Sequence, residues 1–411
     1  MRFTNFLTYL PLLLIAILVA IQIPSIIISS YFAPVFFEKV TEAAGGQLVG
    51  QQAIDLILKD ETKILSQQKL LENFTTKTYQ ASFEKIVQAK NPFKVSAIRL
   101  HNQLYYSIFK KSYAENGMVI IGKENIPFAL KFLAGCHVKN DKLLKESVKT
   151  WYENLIKIHA FFKERDQTFV YLITPSKGSY FSEYLPANLP CISVRPFYLE
   201  AKKYLDKGAV PYFDASAYML SLKDKYHDLL FPRQGIHWTR LSAAMTANGL
   251  LDSIEKSSEI FIPNILYKYS FTEHINSDID TVALINILGK PKYPMIDIEV
   301  NKAATGKAVT LAMVSGSFAD QLLDVFHKAN VFFEINYYYY FSQAQRTFLK
   351  TGEITTVYPD KPETGTMKYS PLYSSDIIIL EENEIAMNHN INFLIDKIKN
   401  DFPESFNTQG Q

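Results

Sequence analysis

The chain has 411 residues, with 43 Lys and Arg balanced by 41 Asp and Glu and no basic block of the kind that tracks a phosphate backbone. A net charge of +2 argues against nucleic acid as a partner, and the length admits either two or three ordinary domains or one large α/β domain with an appended segment. The 25 Tyr and 29 Phe serve cores and sugar-binding surfaces alike, so composition does not choose between an enzyme and a binding module.

No charged side chain occurs between Phe3 and Phe37, and Leu7 to Ile28 is almost entirely Leu, Ile, Val and Ala. That run is long enough to span a bilayer and lacks a clean A-x-A-like exit, so residues 1–37 are expected to be an uncleaved transmembrane signal-anchor. Arg2 on one side and Lys39 beside Glu38 on the other set the orientation: a single pass through the inner membrane, with the main domain in the periplasm or cell exterior. Cys136 and Cys191 fit such a compartment as one disulfide, and fit equally as two buried thiols. Neither lies in a CxxC or histidine-rich spacing, so no structural metal is expected.

Residues 38–105 are read as a helical stalk or linker, broken at Gly45-Gly46 and stopped at Asn91-Pro92, and residues 106–411 as the main domain. The run from Asn116 to Asn125 has a short β-branched core between glycines and predicts a strand and turn. Leu144, Val148, Trp151, Leu155, Ile158 and Phe162 follow at alternating steps of four and three, an amphipathic helix that gives way to a buried strand from Phe169 to Ile173. A second helix and a strand from Val210 to Phe213, ending at Asp214, repeat the rhythm. Strands at Val309–Val314, Val331–Ile335 and Ile377–Leu380 and a closing helix near Ile385–Ile398 continue it. Residues 255–305 show no clear period and are read as an irregular excursion. The alternation predicts an α/β fold with a mostly parallel sheet covered on both faces.

Within that frame, the strand Val309–Val314 is followed by Ser315-Gly316-Ser317 and then a helix carrying Leu322, Leu323 and Phe326. Such a turn presents Ser317 at the sheet's carboxyl edge, as a nucleophile or, in the plainer reading, as the cap of the helix. The stretch Phe231-Pro232-Arg233-Gln234-Gly235-Ile236-His237-Trp238-Thr239 stands just before another helix, where Thr239 can cap. An imidazole that reached Ser317 would take its proton, and the Ser317 N–H could help bind an oxyanion. Without that partner, His237 is a structural imidazole under its loop.

In their order along the chain, these motifs resemble the alginate O-acetyltransferases of the AlgX/AlgJ type, whose catalytic domain is SGNH-hydrolase-like. The resemblance runs from about Gly117 to Asn400 and is carried by Ile121-Gly122-Lys123, Thr174-Pro175-Ser176-Lys177 and Gly235-Ile236-His237-Trp238-Thr239. It continues through Asp278-Ile279-Asp280 with Leu284-Ile285-Asn286, Ser315-Gly316-Ser317-Phe318 and Asp376-Ile377-Ile378-Ile379-Leu380-Glu381. It implies catalysis by Ser317 and His237, with Ser315, Gly316, Trp238 and Lys177 as supporting motif residues. It also implies O-acylation, most simply O-acetylation, of hydroxyls on a surface or exported polysaccharide. No cofactor is implied beyond an acyl donor, which in this family is thought to arrive with help from a multispanning membrane O-acyltransferase. Two departures stand out: Gly235 occupies the place of the family's Asp in D-x-H-W, and Ser-Gly-Ser replaces Gly-Asp-Ser. Asp214, Asp228, Asp376 and Glu381 are unranked candidates for the missing acid. A dyad, a carbohydrate esterase and a non-catalytic polysaccharide-binding or assembly subunit with a degenerate site stay open. Lys177 is read as solvated in preference to meeting an anionic polymer, and Tyr337 to Tyr340 as half core and half surface in preference to a sugar platform.

Overall fold

The computed structural model describes residues 94–112, 118–137, 141–187, 189, 191, 193–272, 279–288, 295–302 and 308–407. The expected signal-anchor and nearly all of the expected stalk lie outside these residues, and no described helix is long and apolar enough to cross a membrane. The chain divides into two units, Met1–Ile108 with Asn286–Gly289, and Phe109–Ile285 with Lys290–Gln411. In the first, helix α1 (Lys94–Phe109) is tied to Asn286 by Arg99 Nε at 3.1 Å and Asn102 Nδ2 at 3.3 Å.

The second unit opens on β1 (Val119–Ile121) and β2 (Pro127–Ala129), an antiparallel pair at the place the Asn116–Asn125 pattern indicated. Helix α2 (Asp141–Lys163) puts Val148, Trp151, Leu155, Ile158 and Phe162 on one wholly buried line. Then come β3 (Thr168–Thr174), α3 (Pro196–Leu205), β4 (Tyr212–Asp214), α4 (Ala215–Ser221) and α5 (Arg240–Ser257). Residues 255–305 are more regular than expected: β5 (Tyr267–Thr272) and β6 (Met295–Val300) pair antiparallel, with the short helix α6 (Asp280–Ile285) between them. The chain continues through β7 (Thr310–Ser315), α7 (Asp320–Ala329), β8 (Glu334–Tyr339), β9 (Ala344–Leu349), β10 (Ile354–Val357), β11 (Ile377–Asn383) and α8 (Asn390–Asp401).

Seven strands form one sheet in the order β10-β9-β8-β7-β11-β3-β4. The strands from β8 to β4 run parallel, and β9 and β10 extend that edge antiparallel. The alternation along each strand separates two cores. Val170, Leu172, Leu311, Met313, Ile377 and Ile379 face α4, α5 and α7, whereas Phe169, Tyr171, Ala312, Val314, Ile378 and Leu380 face α2, α3 and α8. Burial on both faces explains the unbroken apolar runs of β3, β7 and β11. The carboxyl ends of β3, β4, β7, β8 and β11 therefore share one rim.

Several boundaries differ from the sequence reading, each for a local reason. Asn330 closes α7 in the left-handed conformation, so β8 begins at Glu334 and takes in the tyrosines instead of ending at Ile335. Glu382 receives the N–H groups of Asn388 (2.9 Å) and Ile391 (3.2 Å), which delays α8 to Asn390. The strands β9 and β10 are short and mostly partly exposed, without an apolar run to mark them. Cys136 and Cys191 are joined as a disulfide.

Candidate active site

β7 ends at Ser315, and the chain turns through Gly316 into a short 3-10 segment, Ser317–Ala319, ahead of α7. The turn is held from several directions. Tyr340 N–H donates to Ser315 O at 2.8 Å, Tyr337 OH donates to Gly316 O at 3.1 Å, and Gly316 N–H donates to Glu381 Oε2 at 2.8 Å. Ser317 makes no side-chain cap, so the plainer reading of it fails. Its Oγ lies 2.9 Å from His237 Nε2.

His237 comes from the loop that Thr239 closes, with Thr239 Oγ1 accepting the Ser242 N–H at the start of α5. The neighbouring Trp238 is wholly buried and its indole N–H donates to Phe318 O at 2.9 Å, which ties the histidine loop to the residue after the serine. The ring's other nitrogen, Nδ1, is 2.8 Å from Asp280 Oδ2, and Asp280 Oδ1 accepts the Ile236 N–H. Asp280 begins α6, whose Val282 N–H donates to Gln234 O at 3.1 Å, so the acid and the histidine loop are latched to each other at two places. A carboxylate on Nδ1 places the proton there, which leaves Nε2 free to accept from the serine.

The carboxylate that meets His237 is therefore none of the four acids named as candidates from sequence. Asp214 caps α4 through the Ala217 N–H and receives Tyr198 OH, both at 2.9 Å. Asp228 pairs with His227 at 2.7 Å and Arg233 at 2.8 Å, and Asp376 binds Thr310 N–H and Oγ1 at the opposite end of β7, both at 2.7 Å. Glu381 is in the site but under the serine turn. Asp280 stands 43 positions after His237, in the region read as irregular. In sequence it belongs to the Asp278-Ile279-Asp280 motif, and an acidic residue opening a short apolar helix is the signal that singles it out.

Lys177 also departs from its expected solvated state. It is buried, with Nζ donating to Pro127 O and to Arg233 O, each at 2.7 Å, and so fastens the histidine loop to β2. Burial pushes its ammonium down to about 7, against the pull of the Asp280 carboxylate. Of the tyrosines, Tyr337 and Tyr338 are core, as read, while Tyr339 and Tyr340 are half-buried on the rim.

Glu381 is wholly buried, and burial raises its carboxyl from 4.5 to about 7 despite hydrogen bonds from the Thr174 hydroxyl and the Gly316 N–H. The folded protein thus holds this proton more tightly than the unfolded chain does. The stability it contributes is lost as pH rises from about 4.5 through about 7, an effect on the order of 3 kcal/mol. A glutamine can accept the Gly316 N–H on its amide oxygen and donate its NH₂ to Thr174 Oγ1, without the charge. Glu381→Gln is expected to melt several degrees above the parent protein at about pH 8 and to differ much less at about pH 5, as calorimetry would show.

No protein-family model matches the chain, and no curated protein sequence matches it. Among solved structures, the O-acetyltransferase domain of Pseudomonas putida AlgJ is similar with 14% identity and a TM-score of 0.45, over 69% of this chain and 99% of that one. Pseudomonas aeruginosa AlgX is similar with 11% identity and a TM-score of 0.41, over 66% of this chain and 62% of that one. Bacillus cereus PatB1 has 10% identity and a TM-score of 0.41, over 66% of this chain and 98% of its own. These similarities are low in both sequence and structure.

Proposed function

We propose that the chain is an O-acyltransferase, with acetyl the simplest acyl group, that modifies hydroxyls of a surface or exported polysaccharide through an acyl-enzyme on Ser317. The observation that carries this reading is the continuous chain from Ser317 Oγ through His237 to Asp280. Gly235 supplies no acid, and the carboxylate that faces His237 Nδ1 comes from another segment, as Asp280.

As Ser317 Oγ bonds to the acyl carbonyl carbon of an ester or thioester donor, its proton passes to His237 Nε2 and the carbonyl electron pair moves onto oxygen. When that pair returns, the bond to the donor's leaving oxygen or sulfur breaks and His237 returns the proton to it. In the second half, a sugar hydroxyl gives its proton to Nε2 as it attacks, and Ser317 leaves with that proton. Asp280 stays ionised and stabilises the imidazolium. The Cys136–Cys191 disulfide supports an oxidising compartment, in keeping with a domain held outside the cytoplasm by residues 1–37. A multispanning membrane partner would then supply the acyl donor.

The test is partition of an acetyl group from an aryl acetate between water and an oligosaccharide. The proposal expects acetylated sugar to form with the parent protein and not with Ser317→Ala. Release of acetate alone would identify an esterase, and sugar binding with neither product would identify a binding subunit.

A further inference from the structure

Acyl transfer through Ser317 needs donors for the oxyanion beyond the serine's own N–H, and the neighbouring Gly316 N–H is already given to Glu381. A second group has been brought to the serine at a conformational cost. Tyr340 and Phe341, just past β8, both hold left-handed backbone, with φ of 41° and 60°. Hydrogen bonds from Tyr340 N–H to Ser315 O (2.8 Å), from Ser342 N–H to Tyr340 O (2.7 Å) and from Gln343 N–H to Tyr339 O (3.1 Å) maintain it. The result is that the Tyr340 ring lies on Gly316, where an added Cβ would stand 3.1 Å from Cε1 and 3.4 Å from the hydroxyl. That hydroxyl is 3.4 Å from Ser317 Oγ. The separation is long for a bond that holds the ground-state serine, but it suits a donor to an oxygen on the carbon that Oγ attacks.

We propose that Tyr340 is a catalytic residue whose hydroxyl donates to the oxyanion formed on attack by Ser317, and that position 316 is glycine so that the ring can reach it. The inference rests on the reading of Ser317 as nucleophile. Tyr340 keeps its proton throughout: it donates a hydrogen bond as the carbonyl electrons move onto oxygen and releases it when they return.

Tyr340→Phe keeps the ring and removes only the donor. Its kcat for aryl acetate hydrolysis is expected to fall on the order of 10²-fold, with KM within about twofold of the parent and an unchanged melting temperature. Gly316→Ala displaces the ring, and its effect should largely vanish when it is added to Tyr340→Phe, because the two changes disable one interaction. The role is overturned if Tyr340→Phe keeps kcat within about threefold while Ser317→Ala is inactive. If Ser317→Ala is as active as the parent protein, the nucleophile reading itself fails, and this role with it.

Discussion

Replacing Asp280 by Asn is expected to lower kcat for aryl acetate hydrolysis by about 10⁴-fold while leaving the fold intact. The loss follows from what the two carboxylate oxygens do. Oδ1 accepts the Ile236 N–H and Oδ2 faces His237 Nδ1 at 2.8 Å. An asparagine has one acceptor, and the Ile236 N–H requires it, so the amide NH₂ turns toward the ring. Nδ1 must then accept, the proton moves to Nε2, and Nε2 can no longer take the proton of Ser317. Asp214→Asn, Asp228→Asn and Asp376→Asn serve as controls. None of these carboxylates touches His237, so each variant should stay within about threefold of the parent. A comparable loss in one of them, with Asp280→Asn unaffected, would remove Asp280 from the role.

Ser317→Ala is expected to reduce the same activity to the assay floor, a loss on the order of 10⁴- to 10⁶-fold, and His237→Ala should do nearly as much. The double variant should be little worse than either single one, since both remove the same step. The effect should fall on kcat. Ser317 is the first residue of its 3-10 turn and caps nothing with its side chain, so removal of Oγ leaves the helix start as it was. Additive losses in the double variant would mean that the two side chains act separately and that their 2.9 Å contact is incidental.

Much of this arrangement was legible in the chain because burial writes a clear pattern. The apolar runs of β3, β7 and β11 and the line of Val148, Trp151 and Leu155 on α2 named the central sheet and one of its covers. Ser317 and His237 stood out because small residues, Pro and Trp marked turns at strand and helix ends. What stayed hidden depended on long-range pairing. The outer strands β9 and β10 and the strand β5 are polar or largely exposed, so a window along the sequence sees no buried period there. Asp280 could be assigned only after α6 was seen against the histidine loop. Lys177 reads as a surface residue by type, and its two backbone acceptors come from Pro127 and Arg233, far apart in sequence. Tyr340 owes its place to a backbone conformation that no composition rule for tyrosine foretells.

The central claim is that Ser317, activated by His237, carries the acyl group. It is tested most directly by quenching the protein in acid during turnover of an activated acetyl ester and mapping the acetylated peptide by mass spectrometry. The parent protein should carry one acetyl group on Ser317, and Ser317→Ala and His237→Ala should carry none at that peptide. Turnover without acetylation of Ser317, or equal labelling of the His237→Ala protein, would contradict it.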